Sequence, residues 1–291
     1  MEIIDGKMVA TKLKQSLATL IQTEYINKGN EVPTLACILV GDNPASQVYV
    51  KNKEKACNLV GMNSIIKVLP ASSTQEQVSK VINDLNNNEK VSGILVQLPL
   101  PKHLNENELI NQILPEKDVD CLTEQNLGKL FSNHHIIAPC TASGIIKLLD
   151  EYDIEIEGKK VAVVGRSLLV GKSVANLLEQ RNATVTLCHS KTKNLAETTS
   201  QADILVVAIG KPKFITSDMV KQGAVVIDVG INRTNEGLVG DVDFDSVKHK
   251  ASHITPVPGG VGPMTIAELL SNTILLHEQN KKFQNDNELT A

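Results

Sequence analysis

Short apolar runs rich in β-branched residues recur along the chain: PTLACILV (33–40), SIIKVL (64–69), SGILVQL (92–98), KVAVVG (160–165), ATVTLC (183–188), ADILVVAIG (202–210) and AVVIDVG (224–230). Segments of helical period separate them, and that alternation predicts βαβ units around parallel sheets, an α/β chain. Val9, Leu13, Leu17, Leu20 and Ile21 share one helical face, and Ser73 with Glu76 forms an expected capping box ahead of Val78, Ile82 and Leu85. A further helix follows 33–40, with Asp42 or Asn43 as its cap, Pro44 in its first turn and Gly61 as its stop. PCTASGIIKLLDEYDIEIEGKK reads as a helix and a polar loop opening a new unit, so the domain boundary falls near residue 141. TPVPGGVGPMT (255–265) is too rich in proline and glycine for a helix or a regular strand. An amphipathic helix follows (Ile266, Leu269, Leu270, Thr273, Ile274), and QNKKFQNDNELTA is expected to fray.

Composition narrows the class. With 291 residues, 42% of them hydrophobic, the chain is long enough for two domains. Its longest apolar run, Ile204 to Ile209, is far short of the roughly 20 residues a membrane helix needs, and the first residues lack the apolar stretch of a signal peptide, so a cytoplasmic, membrane-free protein is expected. A charge of −4, no Trp, four Phe, three Tyr and no basic block exclude nucleic acid as the main partner. Cys37, Cys57, Cys121, Cys140 and Cys188 form no CxxC pair and read as reduced thiols; with His134 beside His135 and no HExxH, no metal site is expected.

In KVAVVGRSLLVGKS a strand runs into a glycine turn and a helix (Ser173 to Gln180), the arrangement that aims backbone N–H groups at phosphate. One reading is a P-loop, and hence a nucleotide-binding switch without redox chemistry. Five residues rather than four separate Gly165 from Gly171, and Arg166 stands where the P-loop glycine should be, but Gly171-Lys172-Ser173 and an aspartate ending AVVID, Asp228, keep the reading open. The other reading is a variant Rossmann turn built from Gly165, Arg166, Ser167 and Gly171. No acid ends the following strand; Ser190, Lys191 and Arg166 offer instead a hydroxyl and two cations for a 2′-phosphate, which favours NADP over NAD.

Tyr49 and Lys53, spaced i, i+4, share a helix face. They precede the glycine turn by more than a hundred residues, the wrong order for a short-chain dehydrogenase. Gln97 ends an apolar strand just before Leu98, Pro99 and Pro101, at the carboxyl edge where open α/β sheets bind ligands. PEKDVDCL sets Asp118 and Asp120 two apart, facing opposite ways if extended, either cap or ligand contact. Pro258, Gly259, Gly260 and Gly262 allow close, stiff approach of backbone to a flat ligand.

Taken in order, YVKNKEKAC, GILVQLPLP, PEKDVD, PCT, GRSLLVG, CHSKTKNL, GKPKFI, VVIDVGIN, GDVDF and TPVPGGVGPMT resemble the bifunctional methylenetetrahydrofolate dehydrogenase/methenyltetrahydrofolate cyclohydrolase family from about residue 1 to 278. The resemblance implies a cytosolic homodimer acting on tetrahydrofolate derivatives. Each chain would have an N-terminal folate-binding lobe (1–140, plus the returning C-terminal helix at about 271–291) facing a Rossmann-type NADP lobe (141–270) across a cleft. Carried over by residue, Lys53 would be the main catalytic group with Gln97 hydrogen-bonded to it, Tyr49 would lie against the folate rings, and Asp120 would hold the pterin edge. Leu98, Pro99, Pro258, Gly259, Gly260 and Gly262 would border the substrate. Gly165, Arg166, Ser167, Gly171, Ser190, Lys191 and Ile231 would contact NADP. Three positions depart from the family pattern: Cys121 replaces a glycine, Ala142 a proline, and Lys172-Ser173 a small residue and proline. A dehydrogenase with weakened cyclohydrolase activity is therefore the alternative within the family. No formate-activating ligase domain is expected.

Overall fold

The apolar runs become strands; those at 34–40, 93–96, 204–207 and 225–228 are buried throughout, whereas those at 63–69 and 184–188 are partly exposed. The computed structural model describes residues 1–235 and 237–290, with side chains to Lys282. Among them run the strands β1 Glu2–Ile3, β2 Thr34–Val40, β3 Asn63–Leu69, β4 Gly93–Val96, β5 Lys160–Val164, β6 Thr184–Cys188, β7 Ile204–Val207, β8 Val225–Asp228, β9 Asn232–Thr234, β10 Gly237–Val239 and β11 His253–Ile254. The chain divides into two compact units, one from Lys12–Ala138 with the residues from Leu269 onward, the other from Met1–Thr11 with Pro139–Glu268.

The first unit holds a parallel sheet of order β3-β2-β4. Every residue of β2 and β4 is buried, as expected where helices cover both sides of a parallel sheet. Ala36, Ile38, Val40, Ile94 and Val96 pack with Val78, Ile82 and Leu85 of helix Gln75–Asn86. That helix is capped one residue later than the sequence suggests: Thr74 Oγ1 accepts from Gln77 N at 3.3 Å and Gln77 Oε1 accepts from Thr74 N at 2.9 Å. Ser73-x-x-Glu76 and Thr74-x-x-Gln77 fit the same pattern. The choice falls to Thr74 because Ser73 is buried, its carbonyl engaged by His103 Nε2. Helix Pro44–Val60 has its expected ends, with Asn43 Oδ1 accepting from Ala45 N and Ser46 N, and Gly61 closing it at φ 81°.

The second unit carries six parallel strands in the order β1-β11-β8-β7-β5-β6. The chain goes from β5 outward to β6, then returns to place β7 on the other side of β5, a topological switch point. Its core joins Ala162, Val164, Leu205, Val207, Val226 and Ile254. The first residues belong here rather than with Lys12–Ala138: β1 pairs with β11, Ile4 N donates to Ile254 O at 2.9 Å and Lys7 N to Gly259 O at 2.9 Å. Two strand residues carry no readable period, and their partners lie some 250 positions away, so the pattern along the chain does not show this pairing.

The last helix, Val261–Thr290, starts inside the segment that seemed too rich in proline and glycine for one. Pro263 falls in its first turn, where a missing N–H leaves no hydrogen bond unmade. Nor does the helix stop at the polar tail: Asn280 Nδ2 donates to Glu116 O at 2.9 Å. Farther back, Asn272 Nδ2 donates to the buried carbonyls of Val119 and Ala138. One turn on, His277 meets the Tyr25 ring edge-on at 5.5 Å and its Nδ1 lies 2.8 Å from Ser92 Oγ. Among the described residues no helix is long and apolar enough to cross a membrane, and no cluster of three His, Cys, Asp or Glu is placed to hold a metal.

Burial, helped by the Lys281 charge, pushes His277 down to about 4, whereas the unfolded imidazole titrates near 6.5. Between these values the unfolded chain binds more protons, so the stability His277 contributes is complete above about pH 6.5 and lost as pH falls toward 4. Thermal melts of the wild type and His277→Gln are expected to differ most near pH 7.5 and to converge toward pH 5. A constant gap across that range excludes the titration of this ring as the cause.

Candidate functional site

In the first unit the chemistry gathers at the carboxyl edge of β2 and β4. Gln97 follows β4 directly, and its N–H donates to Ile38 O at 2.9 Å, which continues the ladder one residue beyond the strand. Its side-chain Nε2 donates to Leu98 O at 2.7 Å. With the amide nitrogen so engaged, Oε1 is left to face Lys53, and Lys53 Nζ donates to it at 2.9 Å. Lys53 is half-buried, while Tyr49, one turn earlier on the same helix face, is exposed. Beneath them, the Cys37 thiol on β2 is pushed up to about 11, chiefly by burial; the Lys53 charge opposes the rise and the Asp120 charge adds to it. Lysine and carboxylate therefore lie within electrostatic reach of one sulfur.

The two aspartates of PEKDVDCL separate into different jobs. Asp118 is buried and its carboxylate accepts from Leu122 N, Thr123 N, Thr123 Oγ1 and Asn126 Nδ2 at 2.8–3.0 Å, which secures the start of helix Glu124–Phe131. Asp120 is part-exposed. Cys121, next to it, is fully buried with φ 56°, and burial with the two flanking carboxylates raises its thiol above the ordinary range. A left-handed backbone suits glycine and strains any residue with a β-carbon.

In the second unit the turn after β5 lies at the switch point. Gly165 has φ 123°, its N–H donates to Cys188 O at 2.9 Å, and a β-carbon on it would lie 2.2 Å from Ala208 O. A β-carbon on Gly171 would lie 2.0 Å from Gly165 O. These contacts fold the turn tightly enough for backbone to approach a pyrophosphate. Ser167 caps the π-helical turn Leu168–Lys172, and Arg166, Ser190 and Lys191 are exposed at the carboxyl ends of β5 and β6. The residues present thus fit a dinucleotide carrying an additional phosphate.

The P-loop reading fails on the same geometry. Ser173 is completely buried and its Oγ donates to Leu168 O at 2.7 Å. Asp228 is no metal ligand either. Its carboxylate accepts from Gly230 N, Asp241 N and Val242 N, each at 2.9 Å, and burial, against these hydrogen bonds, pushes its pKa up to about 6. Asp241 in turn accepts from Ile209 N, Gly210 N, Lys211 N and Asn232 Nδ2. Asp241 escaped the sequence reading; the signal that could have found it is the acid in GDVDF, a short way beyond the aspartate that ends β8. Together the two carboxylates set the loop that presents Ile231, which is half-exposed with its Cδ1 3.5 Å from where a β-carbon on Gly262 would stand. Gly259 O accepts from Lys7 N, Gly260 O would lie 1.9 Å from a β-carbon on Gly6, Pro258 is exposed, Ala142 is buried in helix Cys140–Glu151, and Lys172 is exposed.

Cys121 offers a direct check on strain. Cys121→Gly is expected to be more stable than Cys121→Ala by about 1 kcal/mol in urea unfolding, the reverse of the usual order of these residues. Alanine equal to or above glycine would mean that the left-handed backbone is not held at this position.

Similarity to known proteins agrees with this geometry. The family described as tetrahydrofolate dehydrogenase/cyclohydrolase, catalytic domain, matches residues 4–120, and its NAD(P)-binding domain matches residues 139–281. The bifunctional protein FolD of Thermodesulfovibrio yellowstonii is 54% identical over 282 residues, 97% of this chain and 98% of its own. The crystal structure of the bifunctional FolD dehydrogenase/cyclohydrolase of Campylobacter jejuni superposes with a TM-score of 0.93 at 47% identity, over 96% of this chain and 99% of the other. The Trypanosoma brucei enzyme, solved with NADP and an inhibitor, gives 0.90 at 39% identity over 96% and 97%. With a Rossmann turn, a lysine held by a strand-end amide and both domains matched in order, the chain belongs to the tetrahydrofolate dehydrogenase/cyclohydrolase family.

Proposed function

We propose that the protein oxidises 5,10-methylenetetrahydrofolate to the 5,10-methenyl form with NADP and hydrolyses that product to 10-formyltetrahydrofolate. The observation that carries this reading is the Lys53–Gln97 pair at 2.9 Å, on the unit that matches the family's catalytic domain. NADP, when bound, supplies a hydride acceptor. The turn from Gly165 to Gly171 would hold its pyrophosphate, Arg166, Ser190 and Lys191 its 2′-phosphate, and Ile231 would pack near the nicotinamide. On the substrate side Tyr49 offers a ring to stack on the folate, Asp120 an acceptor for the pterin's N–H groups, and Leu98 and Pro99 apolar surface. Orientation of two flat rings is the main demand of the first step, because the substrate's own nitrogens stabilise the cation that forms.

The second step moves protons, and Lys53 is the group placed to do so. Gln97 Oε1 takes one of its N–H directions and so fixes where the rest of Nζ points. Water adds to the methenyl carbon, and the carbon–nitrogen bond then breaks as a proton passes through Nζ to the departing nitrogen. The alternative, a dehydrogenase with weakened cyclohydrolase activity, draws on Cys121, whose strained backbone adjoins Asp120. The family resemblance also supports a homodimer in the cytosol, which sedimentation and fractionation would read.

With methylenetetrahydrofolate and NADP, reduced cofactor is expected to appear with little build-up of methenyl product; methenyl accumulation selects the weakened form, and no turnover overturns the reading. Lys53→Met is expected to lower cyclohydrolase turnover about 10²–10⁴-fold at unchanged melting temperature. A variant retaining full hydrolysis removes Lys53 from that role. Arg166→Ala combined with Lys191→Ala is expected to weaken NADP at least about tenfold and NAD little, as the loss of a charge-assisted hydrogen bond predicts; equal loss for both cofactors would assign these side chains to the common part of the dinucleotide.

A further inference from the structure

At the other end of β4 from Gln97 lies a hollow of about 530 Å³, bounded by the final helix, by the loop before helix Glu124–Phe131 and by the segments leading into β2 and β4. Its polar interior is not explained by the chemistry above. His277 is 94% buried, being 6% exposed, and its Nδ1 is matched to Ser92 Oγ. Because Thr34 N already donates to that oxygen at 3.0 Å, the serine proton is free to donate to Nδ1, which leaves the ring's own proton on Nε2. Nε2 makes no well-formed hydrogen bond, although the Glu31 carbonyl, to which Lys281 Nζ donates at 3.5 Å, lies nearby, and the buried Nδ1 of His135 on the same wall has no partner. Burial lowers the pKa of both rings, that of His277 down to about 4.

Charge in the lining follows depth. Lys117 is 8% exposed and donates to Leu85 O, Asn86 O and Asn88 O at the carboxyl end of helix Gln75–Asn86, so a buried ammonium stands there with carbonyls as its hydrogen-bond partners. Lys129 and Lys281 are half-buried, whereas the three glutamates of the lining, Glu31, Glu89 and Glu116, are solvent-exposed. The inner wall is therefore cationic and donor-rich, and the acids belong to the outside. Buried polar groups in folded proteins find partners, and an oxygen bearing negative charge satisfies an N–H donor and ammonium groups together.

We propose that this hollow binds a small oxyanion, a carboxylate or phosphate compound, whose oxygen accepts from His277 Nε2 and whose charge faces Lys129 and Lys281. The site is separate from the Lys53 site, since Ser92 and Gln97 bracket opposite ends of β4.

The test uses the full chain with ¹³Cε1-labelled histidine and saturating NADP, so that the phosphate site of the other unit is filled, titrated separately with inorganic phosphate and with succinate. The His277 and His135 signals are expected to shift saturably with one or both, with a Kd of about 1 mM or below; the stronger of the two identifies the class. In Lys129→Ala combined with Lys281→Ala the Kd is expected to rise at least about tenfold, with the melting temperature in anion-free buffer unchanged. Succinate and phosphate that both leave His277 unshifted at about 10 mM overturn the proposal, as does a shift that the double variant retains in full. Should the double variant melt early, Lys129→Gln alone repeats the comparison.

Discussion

Buried backbone N–H groups must be paired, and in a parallel sheet the difficult place to pair them is the carboxyl edge, where strands end and irregular loops begin. The second unit meets that requirement with two buried carboxylates. Asp228 and Asp241 between them accept six backbone N–H groups from the loops after β7 and β8 and from the return past β10. Gly240 permits it: a β-carbon there would lie 1.8 Å from Asp228 Oδ2. Once those amides are fixed, the position of Ile231 and the approach to the glycine turn follow from local geometry. A rigid carboxylate network is thus what allows loops without regular structure to present a dinucleotide surface.

The first unit solves the same problem at smaller scale. Gln97 extends the ladder by one N–H, spends its amide nitrogen on the neighbouring carbonyl and has one oxygen left for Lys53. Each of these bonds is ordinary, and the consequence is directional: the lysine is steered by an amide whose own orientation is not free. Asp118 performs the equivalent service for the following loop, while Asp120, Lys53 and Glu54 are unburied charges that act on Cys37.

Cys121 and the hollow beneath His277 both depend on enclosure by neighbouring segments. A β-carbon in a left-handed backbone stores a modest strain beside Asp120. It survives because the residue is enclosed on all sides and the surrounding loop is held by Asp118. The final helix, meanwhile, brings His277, Asn280 and Lys281 against segments from the middle of the unit and makes a polar interior out of residues that are scattered in sequence.

By itself the sequence determined the alternation of strands and helices, the caps of helix Pro44–Val60 and the glycine turn, because these depend on period, on neighbours three or four positions apart, or on strings of specific residues. Tertiary structure decided whatever depends on a distant partner. It placed the first eleven residues with the second unit through pairing with β11, selected Thr74 over Ser73 through burial, divided Asp118 from Asp120, and made Asp228, which had kept a P-loop reading open, an acceptor of backbone amides. The physical reason is common to all four: a hydrogen-bonding group's role is fixed by which donor or acceptor reaches it after folding, and hydrophobic period, which the chain displays openly, says nothing about that choice.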